Sequence, residues 1–357
     1  GAAGMITGTA VLCQASTAIA YSTKDVSNAI SYTWTLVPGT AGVITGNTAS
    51  ITIDWSAVFS GTASLTVKGV NSCGNGASSP AFPILVNPKP FISYIMCTDS
   101  ITIPTARIIQ LKGGIPLGGT YTGTGVNPAT GTFNPAAAGI GAHIITYSYT
   151  NVNSCVNSAS HIITVINPDL FICGGNLKDV RDNKLYNTVL IGTQCWMAES
   201  FNYGTAIVST QDQFDNCTPE KYCYGDNPAN CSNYGGFYQW DELMAYSVVS
   251  GSQGICPPGW HVPTEAEWTL LFSNYINNGF AGSALKATGY SGFDALIDGV
   301  NFFNRGYSFN NFAGFYWSSD SQGAYKAWAH AMNSFNSSVS FYPSSRSNAF
   351  SVRCIKD

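Results

Sequence analysis

Four histidines, a few acidic clusters and eleven cysteines are the residues of this chain whose chemistry could carry a function. His143 and His161 lie in strand-like segments. His261, between Trp260 and Val262, reads as a structural, hydrogen-bonded histidine, whereas His330 sits where it could touch a ligand. Glu265 and Glu267 fall in the first turn of a predicted helix, where the dipole favours acids. General acid–base catalysis needs a paired, perturbed carboxylate. Nothing singles one out, and no Gly-x-Ser-x-Gly elbow occurs, so no enzymatic activity and no catalytic residue is expected. Calcium needs clustered oxygen ligands. Asp212, Asp215 and Asn216, with Asp226 and Asn227 beyond, are the nearest such cluster. Its ordinary reading is a solvated loop, and its alternative a structural calcium ion. No cofactor is otherwise expected.

The cysteines show no zinc spacing and no accompanying pair of histidines, so disulfides in an oxidising compartment are expected. The odd count leaves one thiol unpaired or paired outside the chain. At 357 residues, several domains are the natural expectation. Charged residues make up 10% and the net charge is −4, which argues against a nucleic-acid partner, since phosphate binding needs a basic face. No apolar run reaches the roughly 18–20 residues of a membrane span. The chain opens on Gly1 without a charged, then apolar, leader, so a processed form or a fragment of a longer chain is expected.

Three regions follow. In 1–88, Ile30–Leu36 and Ala63–Val70 place apolar residues at every second position, the period of a half-buried strand. Trp34 lies between Cys13 and Cys73, as in a sandwich core with a disulfide across its sheets. Region 89–168 repeats the plan: Cys97 and Cys155 frame it, Ala142–Tyr149 and His161–Ile166 read as strands, and Asn167-Pro168 ends it as Asn87-Pro88 ended the first. Region 169–357 is richer in Trp and Tyr and gains helical signals. Thr264-Glu-Ala-Glu267 before an apolar run predicts a helix over 264–277 with Trp268, Leu271 and Tyr275 on one face. A second helix is predicted from Gln239 to Val248, burying Trp240, Leu243 and Met244. The expected class is multidomain: two all-β immunoglobulin-like sandwiches, then an α+β module.

Tyr32–Leu36 and Val70–Gly74 resemble the polycystic-kidney-disease-like (PKD) and immunoglobulin-like repeats of bacterial surface proteins. Leu111–Tyr121 and Tyr147–Cys155 resemble another repeat of the same proteins, which implies spacers in long adhesins of the Bacteroidetes type. Region 173–357 resembles the Fibrobacter succinogenes major paralogous domain. The carrying residues are Asp179–Tyr186, Ile191–Glu199, Lys221–Tyr224, Tyr234–Trp240, Gly254–Pro263, Tyr316–Ser319 and Phe350–Cys354. The layout also resembles the C-type lectin fold, though without that fold's calcium-dependent sugar motifs. On that resemblance Cys256 pairs with Cys354, Cys223 with Cys231 and Cys173 with Cys195, and Cys217 is left over.

Over 304–350 the chain is aromatic and rich in Ser and Asn, which suits an adaptable contact surface. The segment from Tyr316 to Arg353 resembles the variable region of proteins diversified by retroelements. Trp317 and Trp328 are expected in the core. Tyr325, His330, Asn333, Phe335, Asn336, Phe341, Tyr342, Arg346 and Asn348 form the candidate ligand-facing set. The expected function is a cell-surface or secreted adhesin that binds a glycan or a surface protein. The alternatives are a cap or subunit of an extracellular fibre, touching neighbouring subunits, and a polysaccharide-targeting accessory module of a larger enzyme.

Overall fold

The computed structural model describes every residue except 1–2, 97–100, 168–170, 276–279, 303–305 and 309–310. The chain forms two compact units. One comprises Gly1–Tyr94, Gly114–Thr120 and Tyr147–Ala159, and the other Ile95–Gly113, Tyr121–Thr146 and Ser160–Asp357.

The first unit contains a β-sandwich. One sheet orders the strands Ile6–Gly8, Ile19–Thr23, Ser50–Trp55 and Gly42–Thr45. The other orders Val11–Cys13, Phe82–Asn87, Gly61–Asn71 and Ser31–Val37. The period-two pattern does its expected work. Ala63, Leu65 and Val67 face Trp34, Leu36, Ile53 and Trp55 in one buried cluster, while the alternate residues face outward. Trp34 donates its indole N–H to the Thr48 carbonyl at 2.9 Å, so its one polar atom is satisfied inside the core.

The expected sandwich disulfides do not form. Cys13 bonds Cys155, with Cα atoms 5.6 Å apart, so neither Cys13–Cys73 nor Cys97–Cys155 exists. Cys73 is a free, exposed thiol, and Cys97 lies outside the described residues. The reason is reach. Cys13 pairs opposite Asn87, beside the Gly61 end of the strand Gly61–Asn71, and Cys73 sits in the turn past its other end. At about 3.4 Å per residue these ends lie over 30 Å apart, and a disulfide needs Cα atoms within about 7 Å.

In the second unit, the described residues of 171–357 form three larger sheets, a parallel two-stranded pair of Thr205–Ile207 with Glu220–Tyr222, and three buried clusters. A five-stranded sheet orders Asn176–Lys178, Leu185–Ile191, Gln194–Met197, Ile355–Lys356 and Trp260–His261. A four-stranded sheet orders Tyr238–Gln239, Ala349–Phe350, Val300–Phe302 and Gly306–Ser308. The third is an antiparallel meander of Ala313–Gln322, Lys326–Asn333 and Val339–Ser345.

The helix predicted over 264–277 runs Glu265–Ser273 and opens on a complete Thr264/Glu267 capping box. Trp268 and Leu271 are buried on its inner face. The second predicted helix shrinks to Trp240–Leu243, because Ala245 and Tyr246 adopt positive φ and break the α-helical path. Trp240, Leu243 and Met244 are nonetheless fully buried. Cys173–Cys195, Cys223–Cys231 and Cys256–Cys354 are disulfides. Cys217 is also disulfide-bonded, not left over.

Candidate functional site

The meander carries the tract singled out by its aromatic content. Along Lys326–Asn333 small and large residues alternate. Ala327, Ala329 and Ala331 face the larger buried cluster, beside Phe315 and Trp317. Trp328, His330 and Met332 point to the other face. The helix Glu265–Ser273 covers part of that second face: Met332 joins Trp268 and Leu271 in a buried cluster, and the His330 ring lies 4.8 Å from Trp268 and 5.1 Å from Phe272. Its cover does not extend over Trp328, which is half-buried. His330 stands opposite Phe341 in the register, so Phe341 is the diagonal neighbour of Trp328, with ring centroids 6.0 Å apart. Phe341 is 65% exposed. The result is an open aromatic shelf, Trp328 and Phe341, flanked by Phe272 and by the His330 Nε2–Glu265 Oε1 contact of 3.0 Å.

Trp317 is buried as expected, its indole N–H donating to the Tyr238 carbonyl at 2.8 Å. Trp328, expected in the core, is instead part of the shelf. The alternation of Ala with large residues was the signal that could have separated the two tryptophans.

The nine candidate ligand residues do not converge. Tyr325, 84% exposed, occupies one end of the middle strand, while Phe335, 80% exposed, and Asn336 occupy the turn at the other end. Eight strand residues separate these ends by about 25 Å. His330 is buried. Asn333 Oδ1 accepts from the Phe335 and Asn336 backbone N–H groups, so it shapes the turn. Tyr342 faces inward, 6.2 Å from Phe315. Arg346 folds back over the Trp240 ring at 4.1 Å and pairs with Asp241 at 3.3 Å. Asn348 donates to the Ser344 hydroxyl. Only Phe341 of the nine contributes to the shelf.

The acidic loop does not gather its oxygens. Asp226 accepts from the Ser209 backbone and hydroxyl and from the Tyr307 hydroxyl, and Asp212 accepts from Gln239. Among the described residues no three His, Cys, Asp or Glu side chains are grouped to hold a metal. His261 is buried between two carboxylates, Asp357 and Glu267, at 2.8 Å each, in a structural role.

Two buried acids were not legible in the sequence. Burial pushes the Glu242 carboxyl up to about 7, and it accepts from the Glu220 backbone and the Tyr246 hydroxyl. Burial likewise pushes Asp298 up to about 7 from 3.8, against the hydrogen bond from Ser351 and the nearby Arg353 charge. A carboxyl raised in the folded state favours folding most when protonated. That contribution is complete below about pH 4 and is lost once pH has risen through about 7; the Asp298 shift alone corresponds to roughly 4 kcal/mol. Asp298→Asn therefore raises the melting temperature at pH 8 relative to the wild type but not at pH 4. Parallel thermal melts at the two pH values check this, and equal effects at both would contradict it.

These features define a class: a disulfide-clasped, mostly β module in a chain that begins with a β-sandwich. Residues 189–356 match the Fibrobacter succinogenes major domain family, and residues 1–84 match the PKD-like domain family. The chain thus carries a Fibrobacter succinogenes major domain preceded by a PKD-like domain. No curated protein matches the chain. Among solved structures it is similar to the fibronectin(III)-like modules of Clostridium thermocellum CbhA, at 16% identity over 46% of this chain and 95% of that one, TM-score 0.23. It is similar to a Ca2+-stabilized adhesin with which an Antarctic bacterium binds ice, at 14% identity over 55% and 56%, TM-score 0.25. It is also similar to a C-terminal fragment of intimin in complex with the translocated intimin receptor, at 12% identity over 99% of each chain, TM-score 0.29. Likenesses this distant carry no argument about function.

Proposed function

We propose that this chain is part of an extracellular bacterial adhesin. In this reading immunoglobulin-like spacers carry a C-type-lectin-like module that binds a glycan or a surface protein without covalent chemistry. The observation that carries it is the Trp328–Phe341 shelf: a half-buried tryptophan beside a largely exposed phenylalanine, ring centroids 6.0 Å apart, on one face of the meander. Rigid rings offer contact area at low entropic cost, and their faces stack on sugar rings. The disulfides suit an oxidising, extracellular setting. The C-type-lectin-like assignment draws support from the long-range Cys256–Cys354 clasp, which ties the closing segment back to the region before the helix. We assign the module no catalysis.

The test is a glycan array probed with the full chain, with and without calcium, beside a Trp328→Ala, Phe341→Ala variant. The expected result is binding that falls more than tenfold in a variant whose melting curve stays cooperative. A glycan signal unchanged by the variant would remove the shelf from the reading. Self-association of the wild type that the variant abolishes would favour the fibre role instead.

A further inference from the structure

Among the described residues, four disulfides follow one another along the chain without overlapping. Cys13–Cys155, Cys173–Cys195, Cys223–Cys231 and Cys256–Cys354 have sequence separations of 142, 22, 8 and 98, so their loops enclose about three-quarters of the 357 residues. Each bond joins Cα atoms only 5.0 to 6.0 Å apart. The shortest covalent path from one end to the other therefore crosses each bond and skips the loop behind it. Only 1–13, 155–173, 195–223, 231–256 and 354–357 remain on that path. Cys217 is in a further disulfide, and an added cross-link can shorten the path but never lengthen it.

This order has a mechanical consequence. Tension does work only on chain that lengthens. A loop closed by a covalent bond gains no length when its hydrogen bonds break, so tension does not pull it open. The Cys13–Cys155 loop encloses every strand of the first sandwich after Val11–Cys13. Its closure is knitted to the sandwich exit. Cys13 pairs opposite Asn87, the Lys89 N–H donates to Gln14 Oε1 at 2.9 Å, and the Asn151 and Asn157 side chains donate to the Pro88 and Pro90 carbonyls at 3.0 and 2.9 Å. The Cys256–Cys354 loop encloses the helix Glu265–Ser273 and the whole meander, and with them Trp328 and Phe341. Every one of the four bonds has at least one buried cysteine, Cys155 and Cys195 in the first two and both partners in the others, which keeps attacking thiols away. We propose that tension along this chain is carried through the four clasps, which fix its greatest length and keep the aromatic shelf out of the load path. A module that holds a surface ligand under shear must keep its contact surface folded while pulled, and in that respect the proposal rests on the adhesin reading. The length limit does not depend on what the shelf binds, so its failure and a failure on the glycan array are told apart.

The experiment stretches the full chain by its two ends in optical tweezers. At roughly 3.3 to 3.6 Å per residue, the segments on the path span about 300 Å. The expected result is an oxidised chain that extends to no more than about 300 Å, and to about 1,200 Å once a reductant has opened its disulfides under load. The paired substitution Cys256→Ala, Cys354→Ala should reach about 330 Å further than the wild type without reductant, since it frees a loop with a separation of 98. That gain holds whether or not the variant folds, because cross-links alone set the limit. An oxidised wild type that extends beyond its limit, or a double variant that reaches no further than the wild type, would each overturn the proposal.

Discussion

Removing the Cys256–Cys354 disulfide by paired alanine substitutions is expected to cost the terminal module about 4 to 5 kcal/mol. The bond closes a loop with a sequence separation of 98, and its loss returns that loop's freedom to the unfolded chain. The same treatment of Cys223–Cys231, with a separation of 8, is expected to cost only about 2 to 3 kcal/mol, because a short loop gives up little entropy when closed. Both clasp cysteines are fully buried and belong to the larger cluster with Trp260, Trp317 and Phe350, so part of the loss comes from packing. Chemical denaturation of the two double variants tests the difference directly. Equal midpoints for the two would mean that chain entropy is not what the long clasp supplies.

Arg353→Ala is the second large effect. Its guanidinium is wholly buried and donates to three main-chain carbonyls: Phe293 and Asp294, each at 2.7 Å, and Met197 at 3.2 Å. It also lies over the Phe293 ring at 4.9 Å. Truncation leaves three acceptors unsatisfied and a cavity where water is scarce, for which a loss of roughly 3 to 5 kcal/mol is expected. In a module of this size that corresponds to a melting temperature lower by about 10 °C. Arg353→Lys is expected to recover little, since a single ammonium cannot span three carbonyls as a planar fork does. A melting temperature within about 2 °C of the wild type for Arg353→Ala would show that the carbonyls find other donors. The nearby Asp298 gains from the same guanidinium charge, so the pH dependence described above should steepen in Arg353→Ala.

Some of this could be read locally. The Thr264–Glu267 box announces the helix because both of its hydrogen bonds join residues three apart. The alternation in Ala63–Val70 announces a strand because period two is a property of the strand itself. The segments Tyr32–Leu36 and Val70–Gly74 and the ordered motifs of region 173–357 carried the family resemblances for the same reason: all are properties of the chain written out in order.

What depends on distant partners could not be read that way. Trp317 and Trp328 are both aromatic residues in strands, and only their facing separates them. Trp317 points into the larger cluster, while a helix some sixty residues upstream covers His330 and stops short of Trp328. Cys13 and Cys73 lie on one sheet but at opposite ends of its longest strand, so Cys155 becomes the partner within reach. By itself the sequence determined the helix at 265–273 and the alternating strands, since these follow from local periodicity and short-range hydrogen bonds. Tertiary structure decided which aromatics stay open and which thiols meet, since those depend on what packs across each face.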